Sequence, residues 1–266
     1  MDLEAEYNNR ARVPGHPAII AGWARDAAAW RSACPRAELD LPYGGGAREK
    51  LDVFLPAPAG EAPLALFIHG GYWQALDRSF ASHCARGLNG HGIAVAVPSY
   101  DLCPAVPLAT IVEQMRGAAR FLFARTGRRI LATGHSAGGH LAAMLLATDW
   151  RALDLRLPPD LVHAALPISG VFELAPLLPT SIATNLGLTP DDARRLSPRH
   201  LPPRGHPIHC VVGGAESSEF LRQSRDMATA WGGTFEATPG DDHFTVIAPL
   251  AEPESALTRR AARMVA

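Results

Sequence analysis

The hexapeptide Gly134-His135-Ser136-Ala137-Gly138-Gly139 constrains the folding of this chain more than any other stretch. The apolar, partly β-branched run Arg129–Thr133 precedes it, and Ala137, Leu141, Met144, Leu145 and Thr148 follow at helical spacing. A strand that turns at once into a helix, with serine at the apex, is the context in which G-x-S-x-G forms a nucleophile elbow. So sharp a turn crowds backbone against backbone, and Gly134 and Gly138 remove the Cβ atoms that would collide. A Gly-rich turn whose serine merely caps the helix would carry the same pentapeptide. The flanking periodicity and a second motif upstream favour Ser136 as a nucleophile.

That second motif ends the run Leu64–Ile68, which is apolar throughout and reads as a strand buried on both faces. His69-Gly70-Gly71-Tyr72-Trp73 follows directly. In α/β-hydrolases the loop at this place supplies backbone N–H groups to the oxyanion hole. By position those donors are Gly71 and Tyr72, joined by Ala137 after the nucleophile, while His69 is expected to brace the loop rather than act as a base. A glycine turn followed by packed aromatics is the plainer alternative.

A serine nucleophile needs a base and an acid, which in this fold follow it in the order acid, then histidine. His243, in the turn-forming Gly240-Asp241-Asp242-His243-Phe244, is the histidine that lies beyond the last expected strand. The acid should follow the strand Ile208–Val212, which puts Glu216 at the strand end and Glu219 one helical turn further on as its competitor. Asp241 and Asp242 are too close to His243 in sequence to be favoured. His206 and His209 make an H-x-x-H, but Pro207 lies between them and no further ligand is evident, so neither metal nor organic cofactor is expected.

The remaining pattern alternates strands with helices. A helical preamble occupies residues 1–33, with Trp23, Ala27 and Trp30 on one face, and Glu38–Pro42 and Lys50–Leu55 suit a hairpin. Pro56–Pro63 reads as a surface loop, Ser79–Leu88 has room for a helix, and Ile93–Val97 is a second buried strand. Leu108 to Leu122 carries an apolar helical stripe, and Val162–Ser169 and Thr234–Ala237 complete the strands. A helix around Phe220–Trp231 and a final one bearing Leu257, Ala261 and Met264 close the series. The expected fold is a mostly parallel sheet with helices on both faces, in one domain spanning residues 1–266. The proline-rich segment 172–207 breaks the alternation and is expected to form a small cap or lid.

Composition excludes several partners. A formal net charge of −1 with scattered basic residues argues against nucleic acid and anionic membranes. No apolar run approaches the ~18–20 residues of a membrane span, and the acidic N-terminus is unlike a signal peptide. Four dispersed cysteines without C-x-x-C spacing read as reduced thiols of a cytoplasmic protein. The expected partner is a small-molecule substrate, and a homodimer stays open.

Three segments together carry a resemblance: HGGYWQ (His69–Gln74), GHSAGGHL (Gly134–Leu141) and ESSEFLRQS (Glu216–Ser224). With Tyr7-Asn8-Asn9-Arg10 and Ser99–Pro104, they make most of the chain similar to the kynurenine formamidase (arylformamidase) group of α/β-hydrolases. That group is related to hormone-sensitive-lipase-type esterases, which share the HGG and elbow motifs. The group usually has Asp where this chain has Glu216. The resemblance implies a serine hydrolase acting on an aryl formamide such as N-formylkynurenine, through Ser136, His243 and Glu216. Tyr72 and Trp73 are expected to border the aryl ring. A short-chain carboxylesterase would use the same machinery, and a non-catalytic binding protein on this fold is the remote alternative.

Overall fold

The protein is described here by a computed structural model covering residues 1–57 and 61–265; within the expected loop Pro56–Pro63, residues 58–60 lie outside the described residues. The chain opens with helices α1 (Leu3–Tyr7), α2 (Asn9–Arg12) and α3 (His16–Ala33), followed by strands β1 (Ala37–Pro42), β2 (Lys50–Phe54) and β3 (Leu64–Ile68). Next come α4 (Ala85–Gly90), β4 (Ala94–Pro98), α5 (Leu108–Thr126), β5 (Ile130–His135), α6 (Ala137–Leu146) and α7 (Trp150–Leu153). The series ends with β6 (Val162–Ile168), α8 (Pro190–Arg195), β7 (His209–Gly213), α9 (Ser218–Ala230), β8 (Thr234–Thr238) and α10 (Ala256–Val265).

The strands form one eight-stranded sheet in the order β1-β2-β4-β3-β5-β6-β7-β8. β2 pairs antiparallel with both its neighbours, and every other pairing is parallel. This is the α/β-hydrolase fold, and its strand period divides the core in two. Leu64, Leu66 and Ile68 enter one core with α5, α6 and α9, while Ala65 and Phe67 enter the other with α3, α4 and α10. Buried on both faces, β3 and β4 have no polar side to show, which is why they read as unbroken apolar runs, and β5 is apolar as far as Ala132. No helix among the described residues is long and apolar enough to cross a membrane. All four cysteines are free and buried.

One expectation needs correction. The helix expected over Ser79–Leu88 begins only at Ala85; the Asp77 carboxylate accepts from the Ser79 N–H and starts two successive 3-10 turns instead. The segment 172–207 is anchored to the rest of the fold. Phe172, Leu174, Leu177, Leu186, Ala193 and Leu196 are buried in the core beside α5, α6 and α9.

Candidate active site

β5 ends at His135 and α6 begins at Ala137, so Ser136 occupies the single residue between them, with φ 56° and ψ −116°. A serine held at positive φ is under backbone strain, and the surroundings fix it there. Its N–H donates to the Ile168 carbonyl at 2.8 Å, which ties the turn to β6. A methyl group on Gly134 would lie 2.6 Å from the Ile68 oxygen, and one on Gly138 would come closer still. Both glycines are therefore demanded by the approach of β3 to the elbow.

The loop after β3 runs through three successive positive φ values, 105° at Gly71, 51° at Tyr72 and 57° at Trp73. It is closed by Gln74 and Ala75 N–H groups donating to the Gly71 carbonyl, and braced by the Tyr100 hydroxyl donating to the His69 carbonyl at 3.0 Å. Among the described residues, the N–H groups of Gly71, Tyr72 and Ala137 meet no acceptor. His69 stacks on Tyr100 at 4.2 Å, and its Nδ1 lies 2.8 Å from the Gly70 carbonyl. Burial lowers its pKa to about 4, so it sits in the loop as a neutral brace.

Glu216 follows β7, and His243 lies in the turn after β8. His243 Nδ1 is 2.6 Å from Glu216 Oε2, and both residues are buried. The other carboxylate oxygen of Glu216 accepts from the Gly213 N–H at 2.8 Å and from the Ser169 hydroxyl. Ser169 terminates β6 at φ 49°. Phe220 and His135 each lie 4.7 Å from the His243 ring, which packs it in place. His135 Nε2 donates to the His243 carbonyl at 2.7 Å. Burial, followed by the neighbouring His243, pushes the His135 pKa well down, so this ring is neutral.

Glu219 is turned elsewhere. It accepts from the Tyr7 hydroxyl at 2.7 Å and from Arg222 at 2.7 and 2.8 Å, and the Arg222 guanidinium holds its carboxyl below the usual range. Asp242 caps its own turn by accepting from the Phe244 and Thr245 N–H groups. His209 is occupied by Thr234 and Glu236.

Ser136 and His243 open into the same cavity of about 460 Å³, whose wall includes Gly71 and Tyr72. Trp73 does not reach it. That side chain is fully buried, edge-on to His140 at 5.0 Å. The expectation that Trp73 borders a ligand is thus overturned, whereas Tyr72 lines the cavity and donates its hydroxyl to the Tyr7 carbonyl at 2.7 Å. Of the segment 172–207, Ser181 and Ile182 border the cavity.

Three contributions escaped the sequence reading. Ser169 has no motif of its own. His135 occupies a variable position of G-x-S-x-G, and only its placement beside Ser136 hinted at a role. The N-terminal segment, which the sequence marks as a helical preamble without placing it at the site, supplies Asn8, Asn9, Arg10, Ile20 and Trp23 to the wall. It is pinned over the cavity by Glu4, which accepts from Ser181, and by Glu6, which accepts from Ser218 and the Glu219 N–H.

Comparison with known proteins adds to this geometry. The family described as BD-FAE matches residues 51–161, the span that holds both the loop after β3 and the elbow. A kynurenine formamidase from Salmo salar is 34% identical over 85% of this chain and 81% of its own length. A crystal structure from a Silicibacter species, provisionally assigned as a thioesterase, is 38% identical with a TM-score of 0.88, covering 97% of this chain and 98% of that one. An esterase from Pyrobaculum calidifontis shares the fold at 19% identity and a TM-score of 0.69, covering 94% of this chain and 92% of its own.

Proposed function

Since this chain belongs to the kynurenine formamidase family of α/β-hydrolases, we propose that it hydrolyses an aryl formamide of the N-formylkynurenine type through a covalent Ser136 ester. The hydrogen bond of 2.6 Å between His243 and Glu216, beside the cavity that Ser136 also lines, is the observation that carries the chemistry.

In this reading Ser136 Oγ attacks the formyl carbon and gives its proton to His243 Nε2. Glu216 holds the proton of Nδ1 in place and offsets the charge of the imidazolium. The carbonyl oxygen becomes an oxyanion facing the N–H groups of Gly71, Tyr72 and Ala137, each of which lowers the barrier by about 3–4 kcal/mol. Collapse of the tetrahedral adduct breaks the C–N bond, and His243 delivers its proton to the departing aryl amine. Water, deprotonated by the same imidazole, then attacks the formyl ester and releases formate. The formyl group needs almost no acyl pocket, and Tyr72 offers a ring for stacking the aryl amine, worth ~0.5–1.5 kcal/mol beyond burial. Ser181 and Ile182 of the segment 172–207 roof that ring.

A second reading, hydrolysis of a carboxylic or thiol ester, draws on the similarity to the Silicibacter protein. The two separate in one comparison of kcat/KM for N-formylkynurenine, p-nitrophenyl acetate and an acetyl thioester. The formamidase reading expects the first to be largest. Brisk turnover of either ester without formamide hydrolysis would replace it.

A further inference from the structure

Asn9 is buried, with a relative exposure of 3%, yet neither its Nδ2 nor its Oδ1 has a hydrogen-bond partner among the described residues. A buried amide left unpaired carries a desolvation cost with nothing to offset it, and such groups call for a specific explanation. Asn9 lies in the wall of the cavity that Ser136 opens into. Its neighbour Arg10 lines the same cavity, is exposed, and has no acid within ion-pair distance among the described residues. Arg12, two residues along, is by contrast paired with Glu6. Among the described residues no Asp or Glu lines the cavity, so Arg10 is its unbalanced charge.

These residues are held in position. The Asn8 side chain accepts from the Ala11 N–H and starts α2, while Glu4 and Glu6 fasten α1 to Ser181 and to the start of α9. The fold thus fixes one amide and one guanidinium, adjacent in sequence, in the wall of the cavity that contains the nucleophile. An amide N–H and a planar guanidinium fork suit a planar anion that accepts several hydrogen bonds.

We propose that Asn9 and Arg10 form a recognition site for a carboxylate carried by the substrate. The inference rests on Ser136 acting as the nucleophile. A formyl group carries only hydrogen on its carbon, so with a formamide the carboxylate belongs to the departing aryl amine. The enzyme would then select anionic aryl formamides over neutral ones, and Asn9 and Arg10 would set that preference without touching the reacting bond.

The test pairs binding with turnover. 4-Oxo-4-phenylbutanoate and its neutral carboxamide are titrated calorimetrically into the full-length protein, and their ortho-formamido derivatives are used as substrates. The wild type should bind the carboxylate about ten-fold more tightly than the carboxamide, as expected for a charge-assisted bond. Arg10→Met should bring that ratio below about three, with the change in kcat/KM residing in KM. Asn9→Asp keeps the shape and sets a negative charge against the ligand, so it should abolish or reverse the preference. Arg10→Met, at an exposed position, keeps the test decisive if Asn9→Asp folds poorly. No detectable binding of the carboxylate, equal binding of the pair, or a ratio unchanged by Arg10→Met overturns the proposal. Carboxylate-selective binding without formamide hydrolysis would instead remove the formamidase reading and leave the anion site standing. Equal turnover of both formamides would do the reverse.

Discussion

Replacing Glu216 by Gln changes one oxygen to an NH2 group, and the structure dictates which one. The Oε1 position faces two donors, the Ser169 hydroxyl and the Gly213 N–H. The hydroxyl can rotate to accept a hydrogen bond, but the backbone N–H cannot. The amide oxygen must therefore take the place of Oε1, which leaves the NH2 group opposite His243 Nδ1, where Oε2 now lies at 2.6 Å. Nδ1 then has to accept, and the imidazole proton moves to Nε2. An Nε2–H cannot receive the serine proton. Loss of the correct tautomer in a serine–histidine–acid site lowers kcat by about 10⁴, which corresponds to roughly 5 kcal/mol of barrier. The variant keeps its hydrogen-bond count, so its thermal midpoint should stay close to that of the wild type. Initial rates on the best formamide or ester substrate, with thermal melts as control, measure both quantities. A well-folded Glu216→Gln enzyme retaining more than a tenth of wild-type kcat would refute this account of the acid.

Two further outcomes are expected. Gly138→Ala should lose about 1–3 kcal/mol in a urea titration, because the new methyl would meet the backbone oxygens of Ile68 and His69 and neither can move without β3; an unchanged midpoint would show that the elbow is looser than described. Glu219 titrates below its ordinary 4.5, mainly through its hydrogen bonds to Arg222. Its contribution to stability should therefore be complete above about pH 4.5 and fade as pH falls through the lower folded value. Glu219→Gln should accordingly lower the thermal midpoint at pH 7 and approach the wild type as the pH falls well below 4.5, and a gap constant with pH would contradict the assignment.

Much of the fold is legible in the sequence because local chemistry governs it. β3 and β4 are buried on both faces, so each is an apolar run, and the glycines of the elbow answer a backbone crowding that composition alone implies. Glu216 is separated from Glu219 by a local rule too, since a residue just past a strand end points differently from one already on a helix. The remainder depends on contacts distant in sequence. Nothing in the run Pro167-Ile168-Ser169-Gly170 announces that Ser169 meets a carboxylate 47 residues away. The polar segment Tyr7–Arg10 looks like surface until α1 is fastened to Ser181 and α9. Trp73 was misplaced for a similar reason. Tyr72 and Trp73 both follow the Gly-Gly turn at positive φ, and Trp73 is drawn inward to pack against His140, a contact 67 residues away that its position beside the turn does not reveal.

The central claim, a covalent intermediate on Ser136, is tested most directly by intact-protein mass after exposure to a fluorophosphonate. One adduct should form, peptide mapping should place it on Ser136, and substrate turnover should fall in step with labelling. Ser136→Ala should show neither adduct nor hydrolysis. A Ser136→Ala protein that still hydrolyses the substrate at near wild-type rate, or an inactivating adduct on another residue, would contradict the account.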